Sequence, residues 1–562
     1  MKMLFIILIF IIIEEIHTQY KCGAGKLNIK PKVLDSKNLK KIQFSKQTSN
    51  SYHPIRIGFD FTSFLKPDSM NASIYEKLKT LIVEVGLEFK KFLQVPQLDS
   101  TPNDMKDILM DMCMINNIGK NYKKYFIDND LIVFPKFSDT FDTLELASAY
   151  PCLEDYNLRP IAGTLIINSD LDWNYKNIEL YMKNILLHEM THILVFDQLL
   201  LDALDMRGQE GPYYYIKSPK VIEKAREHFN CSSLDKLYLE GQGNSNSAGI
   251  HWEARYMLGD YMISFNYIEN TMSEITLALF EDTGFYKVKY YSGGLFKFGK
   301  NKGCDFINKK CIIDEKPISS EFCLDNVLCT SSRTSKAFCY LFNETNPIPT
   351  QYQYFSNPYL GGLDIADYCP IPFNIRFDND YLHMSCKVGK SRLTAEYMES
   401  IGNNSFCFIS SLLPISSKTN NSDYKKICYE VNCDSGNKEI IIKVGTSEIV
   451  CPSVGGIIES PSGFKGSIQC PKYEDICSSK NNIICNEMFD CLTKEAEKDN
   501  YRYDKNINIY EEIYTGEEIN NGEDNEEEDE SEYIPPIRKS GNNYIKFNIG
   551  LLFISLIPFF VN

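Results

Sequence analysis

The sequence predicts an α+β domain followed by a disulfide-rich domain built mainly of strands and loops. Helical and strand-like spacings of apolar residues follow each other along the first 200 residues, which is typical of mixed folds. Fifteen of the 19 cysteines lie between Cys304 and Cys491, where Pro, Gly, Ser and Asn become frequent and helical spacing fades. With 562 residues, 43% of them hydrophobic, the chain is long enough for roughly three to four folded units, and wholesale disorder is excluded.

The chain begins with the pattern of a secretory signal peptide. Met1 and Lys2 precede an apolar run at residues 4–13, which is shorter than the roughly 20 residues of a membrane-spanning helix. We therefore predict a signal peptide over residues 1–19, and the alternative is an uncleaved anchor. Five Asn-x-Ser/Thr sequons fit the same secretory route, although such sequons are common by chance: Asn71, Asn230, Asn343, Asn403 and Asn420.

Strand and helix patterns then alternate through residues 51–200. Residues 55–64 and 131–137 are predicted strands, and residues 163–168 are a third. Apolar residues recur at helical spacing over residues 74–93, which predicts a helix with one buried face. A second helix is predicted over residues 181–200.

The second helix carries the sequence His-Glu-Met-Thr-His. His188 and His192 are four residues apart, so both imidazoles leave the same helix face and can bind one ion. Glu189 can reach a water molecule on that ion. The flanking residues are apolar, and buried polar groups are unfavourable unless something compensates them. Since the chain has only 7 histidines, we interpret this pattern as a site for Zn²⁺, one ion per chain.

A catalytic zinc needs a third protein ligand and one open position. His251 stands out by its sequence context, Ser-Ala-Gly-Ile-His-Trp-Glu-Ala-Arg, and Met262 follows it by eleven residues. The histidines that remain as alternatives are His53, His228 and His383.

Together these residues resemble leishmanolysin, a family of surface metallopeptidases within the metzincins. The resemblance covers roughly residues 52–490 and extends to segments before and after the helix: residues 147–152, 159–163, 278–286, 303–311 and 466–471. It implies that His188, His192 and His251 are the zinc ligands, that Glu189 is the general base, and that Met262 forms the apolar floor of a Met-turn.

The resemblance also implies the layout of the domains. Residues 51–200 would hold the active-site helix of a metzincin-type catalytic domain, and residues 201–310 would hold an inserted subdomain, the third ligand and the Met-turn. Residues 311–500 would form the Cys-rich domain. A strand of this family borders the cleft and pairs with the substrate, and here the candidate edge strand is Gly163, Thr164, Leu165, Ile166, Ile167 and Asn168. The alternative for these six residues is an ordinary core strand.

Two positions depart from the family pattern. Val195 stands where the family usually has Gly, three residues after the second histidine. Because a β-branched residue resists a left-handed turn, we expect the helix to run one turn longer, up to Asp197. A second, milder departure is Phe298-Gly299, where Trp-Gly is expected before Cys304.

Residues 20–50 are a short propeptide-like segment that contains Cys22. A thiolate can occupy the open position of zinc, and the family is kept latent by a propeptide cysteine, so Cys22 is a candidate inhibitory latch. The alternative is a disulfide or a free thiol without function. The other eighteen cysteines are enough for nine disulfides.

The C-terminal end combines an acidic stretch with an apolar tail. Residues 511–532 hold 12 acidic residues and no Lys or Arg, which predicts a disordered stalk over residues 501–540. Small residues, a polar spacer and the apolar run at residues 549–561 predict a glycolipid (GPI) anchor signal over residues 541–562. The alternative is a short hydrophobic tail anchor. Both alternatives attach the protein to a membrane at the cell surface.

The sequence thus predicts a secreted or surface-anchored zinc metalloendopeptidase that acts on proteins or peptides. A net charge of −16 argues against a nucleic-acid partner, which requires a basic surface. The alternative is a related surface protein with weak or no catalysis that acts in adhesion or binding. The intact glutamate and three histidines favour the enzyme. A Cys-rich surface antigen with an accidental motif is disfavoured by the number of segments that match the family.

Overall fold

A five-stranded sheet and a long helix packed on it position the predicted site. The structure is a computed structural model that describes residues 52–96, 105–139, 145–170, 178–241, 248–265, 267, 270–289, 296–373, 384–391, 393–419, 423–477 and 509–510. The predicted signal peptide, Cys22, most of the acidic stalk, the C-terminal apolar run and His383 lie outside these residues. All described residues belong to one unit, residues 1–513.

Helices concentrate in the first 310 residues. Their bounds are α1 Ala72–Phe92, α2 Lys106–Met112, α3 Tyr122–Asp128, α4 Ile178–Leu194, α5 Gln198–Ala203, α6 Pro219–Phe229, α7 Ala254–Met257, α8 Glu274–Asp282, α9 Cys304–Asn308 and, near the other end, α10 Tyr473–Ile476. Single 3-10 turns occupy Thr350–Tyr352, Asp364–Ala366 and Ala395–Tyr397. Among the described residues, no helix combines the length and the apolar composition that a bilayer-spanning segment needs.

Strands occur throughout the described chain, and many of those after residue 310 have only two residues, although the longest, Lys425–Asp434, has ten. Those of the first part are β1 Tyr52–Pro54, β2 Ile57–Asp60, β3 Leu93–Pro96, β4 Leu131–Ser138, β5 Ala147–Glu154, β6 Pro160–Asn168, β7 Arg207–Glu210, β8 Tyr213–Ile216, β9 Leu237–Tyr238 and β10 Lys287–Val288. Those of the second part are β11 Ile312–Ile313, β12 Lys316–Pro317, β13 Leu328–Cys329, β14 Lys336–Tyr340, β15 Phe342–Asn343, β16 Leu360–Gly361, β17 Ile371–Phe373, β18 Ser405–Ser410, β19 Leu413–Pro414, β20 Lys425–Asp434, β21 Glu439–Val444, β22 Ser447–Cys451, β23 Gly456–Glu459, β24 Phe464–Lys465, β25 Ser467–Cys470 and β26 Ile509–Tyr510.

The main sheet has the strand order β26–β2–β4–β6–β5. Strands β26, β2, β4 and β6 are parallel, and β5 runs antiparallel to β6. Every residue of β2, β5 and β6 is buried, as is typical of a sheet covered on both faces. The mixture of helices, sheets and disulfides agrees with the predicted α+β class.

The strand order corrects one prediction. Residues 163–168 belong to β6, which pairs with β4 on one side and with β5 on the other. Both backbone ladders of β6 are therefore used inside the sheet, and it cannot add a substrate strand. The prediction that these residues form the edge is wrong, and the alternative of a core strand is correct. The outermost strand on that side of the described sheet is β5.

Helices α1 and α4 pack against each other beside this sheet. The Asn71 side chain accepts the backbone N–H of Ser73 and so caps α1, whose apolar face includes the fully buried Ile82 and Phe89. Helix α4 contacts the sheet closely because β6 has a glycine there: a Cβ built on Gly163 would lie 2.3 Å from Cγ2 of Ile193.

The predicted helix at residues 181–200 is two helices, α4 and α5, separated by residues 195–197. A small antiparallel sheet, β7–β8–β9, and helix α6 follow within the predicted insertion. The disulfide Cys231–Cys304 joins the residue after Asn230, the C-cap of α6, to the first residue of α9.

The cysteines that the structure describes form eight disulfides, six of them beyond residue 310. One apolar core runs from Ile55 to Phe373, across the predicted boundary at residue 310. A second core, from Tyr397 to Cys477, lies under the six-stranded sheet β22–β21–β20–β18–β25–β23. Cys485 and Cys491 lie outside the described residues. The pairs are Cys113–Cys152, Cys231–Cys304, Cys311–Cys369, Cys323–Cys339, Cys329–Cys407, Cys386–Cys428, Cys433–Cys477 and Cys451–Cys470.

Candidate metal centre

Three histidine side chains meet at the buried face of α4. The Nε2 atoms of His188 and His192, one helical turn apart, lie 3.1 Å from each other. The Nε2 atom of His251, from a segment 59 residues further on, lies 3.2 Å from each of them. Among the described residues, these three form the one group of His, Cys, Asp or Glu ligands close enough to share an ion.

Hydrogen bonds on the other side of two rings determine which nitrogen carries the proton. His188 Nδ1 lies 2.7 Å from the carbonyl oxygen of Tyr261, and His192 Nδ1 lies 2.7 Å from that of Phe196. A carbonyl oxygen only accepts, so Nδ1 is the donor in both rings and each neutral Nε2 keeps its lone pair. These lone pairs point into the space between the three rings.

This donor set fits a zinc ion. Converging lone pairs repel each other at 3.1–3.2 Å unless a cation or a proton lies between them. Ligand nitrogens of a tetrahedral zinc site, each about 2.0–2.1 Å from the metal, are roughly 3.3–3.4 Å apart. The observed spacing is close to that value, and three protein nitrogens leave the fourth position of a tetrahedron open, as a catalytic site requires.

Burial keeps the imidazoles of His188 and His192 neutral. Desolvation lowers the pKa of His188 to about 4, against a weaker opposing effect of the Tyr261 carbonyl. Burial, and then the proximity of His188 and His251, holds the pKa of His192 well below its ordinary value. Neutral imidazole is the form that binds a metal, so protons do not compete for the site near pH 7.

Glu189 follows His188 on α4 and is 1% exposed. It therefore lies inside the protein at the turn of the helix that carries the first histidine. The predicted base is thus on the same rigid element as two of the three candidate ligands, which fixes its position relative to them.

The segment of Met262 connects the first and third histidines. The carbonyl oxygen of Met262, a fully buried residue, accepts the N–H of Trp252, which directly follows His251. The backbone N–H of Met262 donates to the Asp260 carboxylate at 2.8 Å. The carbonyl oxygen of the neighbouring Tyr261 accepts a hydrogen bond from His188. The turn at Met262 therefore contacts His188 and also the residue that follows His251, and it lies at the position where a Met-turn was predicted.

The end of α4 differs from the prediction that it runs a turn longer. The helix ends at Leu194, and the N–H groups of Val195 and Phe196 both bond to the carbonyl oxygen of Thr191. Residues 195–197 turn without a left-handed residue, so a glycine is not required there. The reason is that the Phe196 carbonyl is held by His192, while Asp197 begins α5 as its N-cap.

The other candidate ligands lie elsewhere. His228 Nε2 donates to the carbonyl oxygen of Phe298 at 2.8 Å, and His53 lies beside Asp130. Neither belongs to the histidine cluster. Sequence reasoning missed Tyr261 and Thr191, whose hydroxyls are 2.9 Å apart. The sequence feature that could have indicated these two residues was their position: Tyr261 is next to Met262, and Thr191 lies inside the His-Glu-Met-Thr-His motif.

The chain is similar in sequence to known proteins over the region that contains the histidine cluster. The leishmanolysin family matches residues 75–484 of this chain. Leishmanolysin of Leishmania donovani is 30% identical over 315 residues, which are 52% of this chain and 51% of that protein. A leishmanolysin homolog of Crithidia fasciculata is 26% identical over 459 residues, 77% of this chain and 69% of that protein. A leishmanolysin-like peptidase of Caenorhabditis briggsae is 31% identical over 307 residues, 48% of this chain and 46% of that protein.

The chain therefore spans about half the length of the Leishmania donovani and Caenorhabditis briggsae proteins. The family match is longer and includes the three clustered histidines, Glu189 and Met262. Because the matched residues make up well over half of its length, the chain belongs to the leishmanolysin family.

Proposed function

We propose that this protein is a zinc metalloendopeptidase that hydrolyses peptide bonds of protein or peptide substrates. The observation that carries the proposal is the convergence of three Nε2 atoms at 3.1–3.2 Å on a buried helix. Membership of a family of zinc-dependent metalloproteases supports it.

His188, His192 and His251 would hold the ion through Nε2, with the Nδ1 atoms of the first two fixed by backbone carbonyls. When bound, Zn²⁺ supplies a Lewis acid that polarises the scissile carbonyl and lowers the pKa of water at its open position to about 7. The buried walls around the histidines limit bulk water, which strengthens each electrostatic interaction inside the site.

Glu189 has the role of general base and then general acid. Its carboxylate accepts a proton from the attacking water and delivers that proton to the nitrogen of the leaving amine. Its place beside His188 on α4 supports this role, because one helix then carries the carboxylate and two of the three candidate ligands.

Substrate would pair with β5 if it binds as an extra strand. Strand β5 is outermost in the described sheet and packs against α4, which carries the metal-binding residues. In that arrangement backbone hydrogen bonds would hold the substrate independently of its sequence, next to a strand that contacts the metal-binding helix.

The disulfides support a secreted or surface location. Eight disulfides among the described residues require an oxidising compartment. The signal peptide, the glycolipid anchor or tail, the predicted domain boundaries and the Cys22 latch remain our proposals for this chain.

The test combines metal analysis with proteolysis. The secreted protein should contain about one zinc per chain and should cleave casein, and a zinc chelator should abolish cleavage until Zn²⁺ is added back. Protein without zinc, or cleavage that a chelator leaves unchanged, would contradict the proposal. Protein that holds zinc but cleaves neither casein nor gelatin would support the adhesion or binding alternative.

A further inference from the structure

We propose that Tyr261 is a positioning residue whose hydroxyl fastens the Met262 turn to Thr191 of α4 and so keeps His188 directed at the metal. This inference rests on the proposed function, because it concerns how the same metal centre is held. It assigns a role to two side chains that are neither ligands nor the base.

Tyr261 contacts α4 at two points. Its backbone carbonyl accepts Nδ1–H of His188 at 2.7 Å, and its side-chain hydroxyl lies 2.9 Å from Oγ1 of Thr191. Thr191 lies between the two histidines of the motif, so both contacts fall within one turn of the helix. Two contacts at separate points prevent the turn from pivoting on the helix, which one contact would allow.

The direction of the side-chain bond follows from the third partner. The hydroxyl of Thr191 donates its single hydrogen to the carbonyl oxygen of Leu187 at 2.9 Å. It can therefore only accept from Tyr261, whose O–H must be the donor. The result is a directed chain from Tyr261 to Thr191 to the Leu187 carbonyl.

Burial makes this bond hard to replace. Thr191 is 0% exposed and Tyr261 is 3% exposed, so water cannot readily take over from a lost partner. A buried hydroxyl left without its partner is unfavourable, because it has lost its hydration without a replacement bond. The hydrogen bond between Tyr261 and Thr191 therefore favours one position of the Met262 turn over other positions that would leave the two hydroxyls unpaired.

The far side of the turn is anchored as well. The Asp260 carboxylate accepts the N–H of Met262 and the hydroxyl of Thr276, both at 2.8 Å, which ties the turn to α8. Loss of the Tyr261 hydroxyl would thus leave the turn attached to α8 but free to shift against α4. Such a shift displaces the carbonyl that orients His188, while the fold remains intact.

The experiment compares Tyr261→Phe, Thr191→Val and the double variant. Zinc-loaded protein is mixed with excess chelator to measure the rate of zinc release, and cobalt-substituted protein is examined by visible absorption. Each single variant should release zinc about 10-fold faster or more and show a changed cobalt spectrum. Thr191→Val also removes the bond to the Leu187 carbonyl, so the double variant should be no worse than Thr191→Val, because both single variants remove the bond between the two hydroxyls.

Two further variants separate positioning from general destabilisation. Thr191→Ser keeps the hydroxyl and should behave like the unmodified protein. Tyr354→Phe removes another buried phenol, whose hydroxyl donates to the Asp367 carbonyl at 2.9 Å, and should leave zinc release and the cobalt spectrum unchanged. Hydrogen exchange of α4 amides in chelator-treated protein should be faster in Tyr261→Phe than in Tyr354→Phe.

Unchanged zinc release and an unchanged cobalt spectrum in Tyr261→Phe would overturn the inference, as would fully additive effects in the double variant. If the unmodified protein binds no zinc, the proposed function fails instead. The exchange measurement then still decides the inference, since equal exchange of α4 in the two phenylalanine variants would refute it.

Discussion

Helix α4 with its sheet and the region from Cys311 to Cys477 are held together in different ways. The first is part of an apolar core that includes Ile185, Leu186 and Ile193, and only two of the eight described disulfides lie before residue 310. The second contains several sheets of two or three short strands, one six-stranded sheet over a smaller core of its own, and six disulfides.

The difference indicates that the region around α4 must hold its atoms in more precisely defined positions than the disulfide-rich region. The metal centre depends on atoms held to tenths of an ångström, and packed side chains with buried hydrogen bonds provide that. The small sheets of short strands in the second region bury little apolar surface, so its six disulfides add stability by restricting the unfolded chain. We therefore expect changes at the metal centre to affect zinc and catalysis, and changes in the six-stranded sheet, whose core is separate, to affect stability alone.

The largest effect is expected from His251→Ala. A catalytic zinc site needs three protein ligands, so zinc content should fall well below one per chain and proteolysis should be lost. His228→Ala is the matched control, because His228 bonds to the Phe298 carbonyl outside the cluster. A full zinc content in His251→Ala would show that His251 is not a ligand. It would contradict the expectation that changes at the metal centre affect zinc.

The second effect concerns the disulfide region. Replacing Cys451 and Cys470 by Ala opens a link across 19 residues and should lower the free energy of unfolding of the six-stranded sheet by about 3 kcal/mol. Hydrogen exchange should become faster in β20 and β21, with zinc content unchanged. Equal loss of protection in α4 would show that the two regions unfold as one, contrary to the comparison.

The smallest effect is expected from Gly163→Ala. The added Cβ would lie 2.3 Å from Ile193 Cγ2, which forces α4 away from β6 and should lower the free energy of unfolding by about 1–3 kcal/mol. Gly402→Ala is the control, since nothing lies within 4 Å of the Cβ there. Denaturant unfolding of both variants checks this, and equal stabilities would mean that α4 is less tightly packed than the structure indicates.

The sequence was informative about the site wherever the relevant spacing was local. His188, Glu189 and His192 are found from a five-residue pattern because a helix turns once in 3.6 residues. His251 needed the family resemblance, since 59 residues of insertion separate it from His192. Tyr261 and Thr191 were not found, because a contact between residues 70 apart leaves no local pattern.

The fold was predicted in its class and main elements, but not in its strand order or disulfide pairs. Strand β5 precedes β6 along the chain yet lies outside it in the sheet, and local periodicity contains no such information. The end of α4 was also predicted wrongly, because the prediction considered only the low tendency of Val195 to adopt a left-handed turn. Its conformation is determined by the bond between His192 and the Phe196 carbonyl.

The most direct measurement is the zinc content and peptidase rate of Glu189→Gln. The variant should keep about one zinc per chain, because Glu189 is not among the clustered ligands, while kcat should fall by roughly two to four orders of magnitude. Glu88→Gln, which changes a buried carboxylate on α1 that pairs with Lys91, should keep its kcat. A zinc-loaded Glu189→Gln protein with a near-normal rate would contradict the proposed mechanism.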